Sequence, residues 1–445
     1  MRPVSADRGA LGQPYRRLFA GSVASNLGDG IGTVAYPWLA TAITRDPLLI
    51  ALVAVAQRLP WLVFSLPAGV ITDRYDRRLL MVSANLVRAT VALVVGAVVL
   101  AAQGTLPALD ALGDADTVIE TRVGLYLVLV AATLVFGVAE VLHDNAAQTF
   151  MPALVSKDQL ERANGRLWSA EQTANTFAGP PIGALLLATA FALPFFVDAL
   201  SFAVSAWLVW LVSVPRPSSR TSATTSPTPN GPWWAEMIEG FRWLWRHDFL
   251  RPLAIILGLL NGIGALSLGI FVLFAQEVLG TSPTQFALVM TGGAFGSIIG
   301  GWSASAISRR LGPGPSLWMT LLGSGATSLV IGLSSWWPLV WLMLACGMGL
   351  GVLWNVITVS LRQTIIPDHL LGRVNSVYRF FAWGTIPIAS FLGGALVLVA
   401  DATMSREAAL RLPWLVAAAL NVALFAFAAP RLTTQRIEAA RRDEQ

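Results

Sequence analysis

Residues 48–103 read LLIALVAVAQRLPWLVFSLPAGVITDRYDRRLLMVSANLVRATVALVVGAVVLAAQ, two apolar runs at 48–72 and 79–103 joined by a turn carrying Asp73, Arg74, Asp76, Arg77 and Arg78. With a rise of about 1.5 Å per residue, either run as a helix crosses a hydrocarbon core of about 30 Å. Charge gathers in the turn and is nearly excluded from the runs. That is a membrane hairpin whose basic turn faces the cytoplasm.

The same alternation continues outward along the chain. Further spans are predicted at 18–43, 123–143, 166–189, 191–213, 251–275, 284–307, 314–335, 337–361, 375–399 and 411–430, which makes twelve. With both termini inside, the inner segments hold 24 of the 30 Lys and Arg residues. The outer segments hold Arg45, Arg122, Arg406 and Arg411, while Arg58 and Arg88 fall within spans. This imbalance sets the orientation, and the long outer loop 104–122, with Asp110, Asp114, Asp116 and Glu120, is expected as an acidic external segment.

Composition agrees. The chain is 55% hydrophobic and 12% charged, with a mean hydropathy of +0.64, against roughly 25% charged residues in a soluble domain. Inner loops that meet anionic lipid account for the net charge of +5, so no nucleic-acid partner is expected. The only cysteine, Cys346, lies within the tenth span and excludes an intrachain disulfide; it is expected to be buried and inert. The first run is too long for a signal h-region and is followed at once by a second span, so it is expected to stay as an anchor.

The predicted organisation is a cytoplasmic tail at 1–17, a six-helix bundle at 18–213, a cytoplasmic linker with an interfacial helix at 214–250, a second six-helix bundle at 251–430 and a cytoplasmic tail at 431–445. PRPSSRTSATTSPTPNGP (215–232) is too rich in Ser, Thr and Pro to build a core. After it, Trp233, Trp234, Met237, Phe241, Trp243, Leu244 and Trp245 alternate with Glu236, Glu239, Arg242 and Arg246, the pattern of a lateral helix that stiffens the junction.

The halves repeat one another. Gln148-Thr-Phe-Met-Pro152, continuing to Leu160-Glu-Arg162-Ala-Asn164, returns as Gln363-Thr-Ile-Ile-Pro367, continuing to Leu371-Gly-Arg373-Val-Asn375. Gly69 with Arg77 and Arg78 returns as Gly301 with Arg309 and Arg310. Six helices plus six in an internal repeat place a binding site between the halves near the midplane and suit alternating access. The fold class is therefore an all-α membrane protein of twelve transmembrane helices in two six-helix pseudo-repeats.

Gly69-Val-Ile-Thr-Asp73-Arg74-Tyr-Asp-Arg77-Arg78 resembles the signature loop between helices two and three of the major facilitator superfamily, with Asp76 where that loop usually has a second glycine. Gly28-Asp29-Gly30, the segment Pro152 to Asn164, and Gly179-Pro180-Pro181-Ile-Gly183 resemble the macrolide-efflux and enterobactin-exporter-like branch. Span five departs from the antiporter pattern at Asn175 and Ala184, and span four has Glu140, His143 and Asp144 in place of an arginine. The resemblance implies a major facilitator fold, export, and a gating loop. In that loop Gly69 would permit close helix contact, Asp73 would meet a facing helix end or an arginine, and Arg77 would add a charge latch.

Intramembrane charges supply the proton-coupling candidates. Asp29 lies roughly 18 Å from the inner boundary, and Arg58 and Arg88 roughly 13 to 14 Å from it. An unpaired charge at that depth costs at least about 2.5 to 3.5 kcal/mol, so Asp29 is expected to face Arg58, Arg88 or water. Burial favours its neutral form and a cation its charged form, so a change that swaps these surroundings loads and releases a proton; a permanent structural pair is the alternative. Glu140, Asp144 and Glu171 form a second acidic group, either a relay or a latch onto Arg162, Arg166 or Arg373. Asp198 has no partner that the sequence names.

Trp38, Trp61, Phe271, Phe295, Trp354, Phe381 and Trp383 are candidates to line a substrate cavity, with Asn261 and Asn355 as its polar members or as interhelical hydrogen bonds. The Gly292, Gly296 and Gly300 stripe is expected to serve helix packing.

The leading function is proton-coupled export of a small amphipathic or hydrophobic molecule; uptake or facilitated transport of a small metabolite is the alternative. The only lysine, Lys157, lies outside any P-loop pattern, and His-Glu-x-x-His and Gly-x-Ser-x-Gly are absent. His143, His247 and His369 lack ligand spacing, so no catalytic residue, metal or cofactor is expected. A non-transporting scaffold would need a soluble domain that the chain lacks. The expected partners are a small-molecule substrate, protons and the lipid bilayer of the plasma membrane, around a monomer.

Overall fold

The computed structural model describes residues 11–109, 111–113, 119–156, 159–213 and 233–442. The expectations for residues 1–10, Asp110, Asp114, Asp116, Lys157, the linker 214–232 and residues 443–445 lie outside the described residues, as do those for the side chains of Asp73, Trp233, Trp234, Glu236, Met237, His369 and Leu371.

Among the described residues the chain is helical, without strands. The helices are α1 (Gln13–Ile43), α2 (Pro47–Arg74), α3 (Arg77–Ala102), α4 (Val123–Phe150), α5 (Leu160–Gln172), α6 (Gly179–Thr189), α7 (Leu193–Trp210), α8 (Trp233–Arg246), α9 (Leu250–Leu268), α10 (Phe271–Leu273), α11 (Pro283–Leu311), α12 (Pro313–Leu333), α13 (Trp337–Ile365), α14 (Asp368–Asp401), α15 (Arg406–Ala428) and α16 (Thr434–Arg442). Local chemistry sets several starts. Asp76 accepts from the Leu79 amide at 3.1 Å to open α3. Ser282 and Gln285 form a reciprocal capping box at α11, and Ser405 caps α15.

Ten described helices are long and apolar enough to cross a membrane. The other two of the twelve expected spans deviate for identifiable reasons. α1 has 31 residues, enough for about 46 Å, but Ser22, Ser25, Asn26 and Asp29 lower its apolar content. Span five is divided into α5, a π-helical segment at Thr173–Ala178, and α6. Span seven also departs from a plain helix, ending in α10 and a second π segment at Phe274–Val278. Segments of this kind cluster at functional positions.

The chain forms two compact units that cut across the two predicted bundles. Among the described residues, one comprises those within 11–36, 63–105 and 131–213; the other comprises those within 37–62, 106–130 and 233–442. In the first, α3 packs along α7; in the second, α11 packs along α13, α9 along α14 and α12 along α15. The segment 37–62 groups with the C-terminal helices because it packs on them: a Cβ on Gly394 would lie 2.5 Å from the Ala51 Cβ and 2.8 Å from the Pro47 carbonyl oxygen, and Trp61 stacks on Trp383 at 6.3 Å.

The glycine stripe packs as expected. Cβ atoms on Gly292, Gly296 and Gly300 would fall 2.6 Å from the Trp341 oxygen, 1.9 Å from the Ala345 oxygen and 2.7 Å from the Gly349 oxygen, so only glycine admits α13 this closely. Cys346 corrects an expectation. It is exposed on α13, since a span that is apolar on every face leaves small, weakly polar side chains outside as well as inside.

Candidate functional site

Asp29 sits on α1 between two glycines that admit different neighbours. A Cβ on Gly28 would lie 2.4 Å from Asp198 Oδ1 and 2.1 Å from Ser201 Oγ, so the α7 side chains lie directly on this glycine. A Cβ on Gly30 would lie 2.4 Å from the Asn175 carbonyl oxygen and 2.9 Å from Gly179 Cα. The Gly-Pro element of α6 therefore docks onto α1 at Gly30, and the adjoining π segment presents Asn175, whose amide donates to Asn26 Oδ1 at 3.4 Å.

Of the two candidate cations, Arg88 takes Asp29. Its Nη1 lies 3.5 Å from Asp29 Oδ1, its Nη2 donates to Asn85 Oδ1, and its guanidinium rests 4.3 Å above the Phe202 ring. The Asn85 amide in turn donates to Ser205 Oγ at 2.9 Å. The Arg88 side chain is 1% exposed and that of Asp29 26%, so one member is sealed and the other reaches a surface. Arg58 has an exposed side chain.

Asp198 belongs to the same cluster, a placement the sequence did not show. It is 2% exposed, lies within electrostatic reach of Asp29 and Arg88, and its Oδ1 has no hydrogen-bond partner among the described residues. Arg88 Nε and the Tyr36 hydroxyl are likewise unpartnered there. A buried charged oxygen without a donor costs several kcal/mol, so this is a tense arrangement.

The second acidic group is more dispersed than expected. Glu171 accepts from Ser22 Oγ at 2.5 Å. Asp144 contacts His143 Nδ1 at 3.2 Å, and Glu140 is half-buried one turn away on α4. Arg373 is taken by Glu239 of α8 at 2.6 Å.

In the signature loop, Arg77 Nη1 donates to the Thr149 carbonyl at 3.0 Å and Arg78 Nη1 to the Val212 carbonyl at 3.2 Å. Both cations thus sit at the carbonyl-rich ends of α4 and α7. Arg74 is exposed, and a Cβ on Gly69 would meet nothing within 4 Å.

The cavity candidates scatter. Trp38 and Trp354 are each 1% exposed and pack as core, Trp38 edge-on to Phe286. Their burial leaves no face to line an open cavity. The Asn261 amide donates to the Ala382 carbonyl at 2.8 Å, an interhelical tie, and the Asn355 amide to its own helix at Gly351. Phe381 stacks with Phe241 and Trp245, Phe271 is buried against Trp414, and Phe295 is exposed beside Trp341. A groove of about 1030 Å³ lies elsewhere, between α1 and the α5–α6 segment, lined by Phe19, Val23, Leu27 and Ile182 with Arg162 and Arg166 among its walls.

The sequence also missed a buried ionic cluster. Glu277, 3% exposed on the second π segment, accepts from Arg45 Nη1 at 3.1 Å and from Arg406 Nε at 2.8 Å. Arg45 also donates to Gln276 Oε1 at 3.0 Å and to the Leu112 carbonyl, and Arg406 to Asp401 Oδ2 at 2.9 Å and to the Arg45 carbonyl at 2.9 Å. The π turn is what aims the consecutive side chains Gln276 and Glu277 at one arginine. Composition carries no signal for a cluster assembled from the α1–α2 loop, the end of span seven and the start of α15.

The sequence profile of the Major Facilitator Superfamily matches residues 18–391. The chain belongs to the Major Facilitator Superfamily. Within it, the multidrug efflux pump Tap of Mycolicibacterium fortuitum is 28% identical over 389 residues, covering 85% of this chain and 88% of that protein. Macrolide efflux protein A of Streptococcus pyogenes is 22% identical, covering 85% and 88%. A bacterial homolog of the human lysosomal transporter Spinster, solved in an inward-facing and unoccupied conformation, superposes with a TM-score of 0.70 at 15% identity, covering 97% of this chain and 99% of that one. That likeness shows the fold, a multi-pass membrane transporter architecture.

Proposed function

We propose that this transporter exports a small amphipathic or hydrophobic molecule in exchange for protons by alternating access, with Asp29 as the coupling carboxyl and both termini in the cytoplasm. The observation that carries the reading is the Asp29–Arg88 pair in the middle of α1 and α3, at 3.5 Å with its acid reaching a surface and its base sealed. An ionisable pair at that depth is retained for function by default. A contact this long is also easily exchanged for a proton, unlike a bidentate structural pair.

Two further features support export. The relatives named for drug and macrolide efflux align over most of both chains. The groove along α1 is apolar with arginines among its walls, a surface that suits an amphipathic molecule. In this reading the signature loop, through Arg77 and Arg78, braces the inner end of the first unit. The Arg45–Glu277–Arg406 cluster holds the outer end of its own unit shut and separates when substrate is released.

Everted membrane vesicles offered ethidium, tetracycline and erythromycin test the proposal. Accumulation that starts on energisation and collapses with a protonophore supports it; accumulation driven by ATP in the presence of the protonophore, or none that depends on the protein, contradicts it.

A further inference from the structure

We propose that Asp198 is the second carboxyl of a proton-sharing pair, with Arg88 facing Asp29 while Asp198 holds the proton and turning to Asp198 once that proton has left. The inference rests on the proton-coupled reading above and adds to it the residue that stores the proton.

The geometry is one of unmatched groups. Two carboxyls, Asp29 and Asp198, share the field of one guanidinium. Arg88 spends Nη2 on Asn85 and reaches Asp29 only at 3.5 Å, leaving Nε without an acceptor, while Asp198 Oδ1 is left without a donor. The α7 face that carries Asp198 also carries Phe202, under the guanidinium at 4.3 Å, and Ser205, tied to Asn85 at 2.9 Å. An unmet donor from α3, lying over Phe202, and an unmet acceptor on α7 one turn before Phe202 are therefore neighbours across one helix interface.

Gly28 makes the approach possible. Asp198 Oδ1 occupies the space that any Cβ at Gly28 would fill, which puts the carboxyl against the backbone adjoining Asp29. The two acids differ in access: Asp29 is 26% exposed as a side chain and Asp198 is 2% exposed as a residue. In the proposed pair Asp29, the more accessible of the two, takes the proton first, and Asp198 is the sealed store behind it.

The ionisable groups facing the pair are few among the described residues. α1 contributes Asp29 and Tyr36, whose hydroxyl is unpartnered and within reach of Asp198; α3 contributes Arg88; α4 contributes His143 and Asp144, whose fields reach Arg88 and Asp29. With Arg88 the one facing cation of fixed charge, two ionised acids leave a net negative buried cluster, and one proton removes it. The exchange balances: one proton from external water enters through Asp29 to the Asp198 carboxylate, and the same proton leaves to cytoplasmic water when the guanidinium turns to Asp198.

Infrared titration of the full-length protein in liposomes reads this directly. At neutral pH the wild type is expected to show the C=O stretch of a buried carboxylic acid. That band should be lost in Asp198→Asn and shifted in frequency in Asp198→Glu, which also serves if the asparagine variant does not fold; in Asp29→Asn, where Asp198 is the one acid of the pair left to Arg88, it should weaken as Asp198 ionises. A neutral-pH band that survives in Asp198→Asn, or one that neither Asp198 variant alters, overturns the proposal. Ethidium efflux driven by an imposed pH gradient, measured on the same liposomes, separates the two readings. Gradient-driven wild-type efflux that persists in Asp198→Asn sinks the assignment of Asp198 alone, and wild-type efflux indifferent to the gradient sinks the coupled-export reading.

Discussion

Glu277 accepts from Arg406 through both carboxylate oxygens, from Nε to Oε2 at 2.8 Å and from Nη2 to Oε1 at 3.4 Å. The fork geometry fixes α15 to the π segment after α10, and Arg45 closes on the same acid from the α1–α2 loop.

Breaking this cluster should therefore cost far more than a surface pair. Glu277→Gln leaves two arginines facing a neutral group, and losing one partner of a buried pair costs about 3 to 5 kcal/mol. Melting of the purified protein should fall clearly, and Glu277→Gln/Arg406→Gln should lose less than the sum of its single changes. Additive losses would mean the two side chains do not act together.

Two glycines from different motifs, Gly30 and Gly69, should behave oppositely. Gly30→Ala drives a methyl to within 2.4 Å of the Asn175 oxygen, whereas a methyl at Gly69 meets nothing within 4 Å. Overpacking typically costs about 1 to 3 kcal/mol, so Gly30→Ala should lower the melting temperature and Gly69→Ala should leave it near wild type. Equal stability of the two variants would contradict the packing described for α1 and α6.

Orientation is testable with single cysteines in a Cys346→Ser background. A cysteine at Ser308, close to Arg309 and Arg310, should react with an impermeant maleimide only from the cytoplasmic side, and one at Glu120 only from outside. Reaction of the Glu120 position from inside would reverse the assignment made from the positive charges.

Most of the helices were legible because a hydrocarbon core imposes one length and one chemistry on every span, and among the described residues ten of the twelve expected runs satisfy both. That Asp29 shares a level with Arg58 and Arg88 was legible too, because depth along a helix follows from counting residues; the choice of Arg88 was not. What counting does not supply is rotation about the axis. Asp198 looked partnerless because its contact with Gly28 depends on which face of α7 meets α1. Glu277 was unremarkable for a different reason: its partners at 45 and 406 are remote in sequence, and the π turn that aims it leaves no compositional mark. Trp38 and Trp354 looked like cavity aromatics, yet a large side chain fills a helix interface as well as it lines a pocket.

The account turns on Asp29, and the direct measurement is uptake into everted vesicles of whichever of ethidium, tetracycline or erythromycin the wild type accumulates. Asp29→Asn holds the neutral form permanently, so the variant should be made, inserted and able to bind the compound, yet should show no protonophore-sensitive accumulation. Wild-type accumulation by Asp29→Asn would contradict the account. So would a variant that fails to insert but is restored to full transport by Asp29→Asn/Arg88→Gln, since the pair would then be only a structural tie.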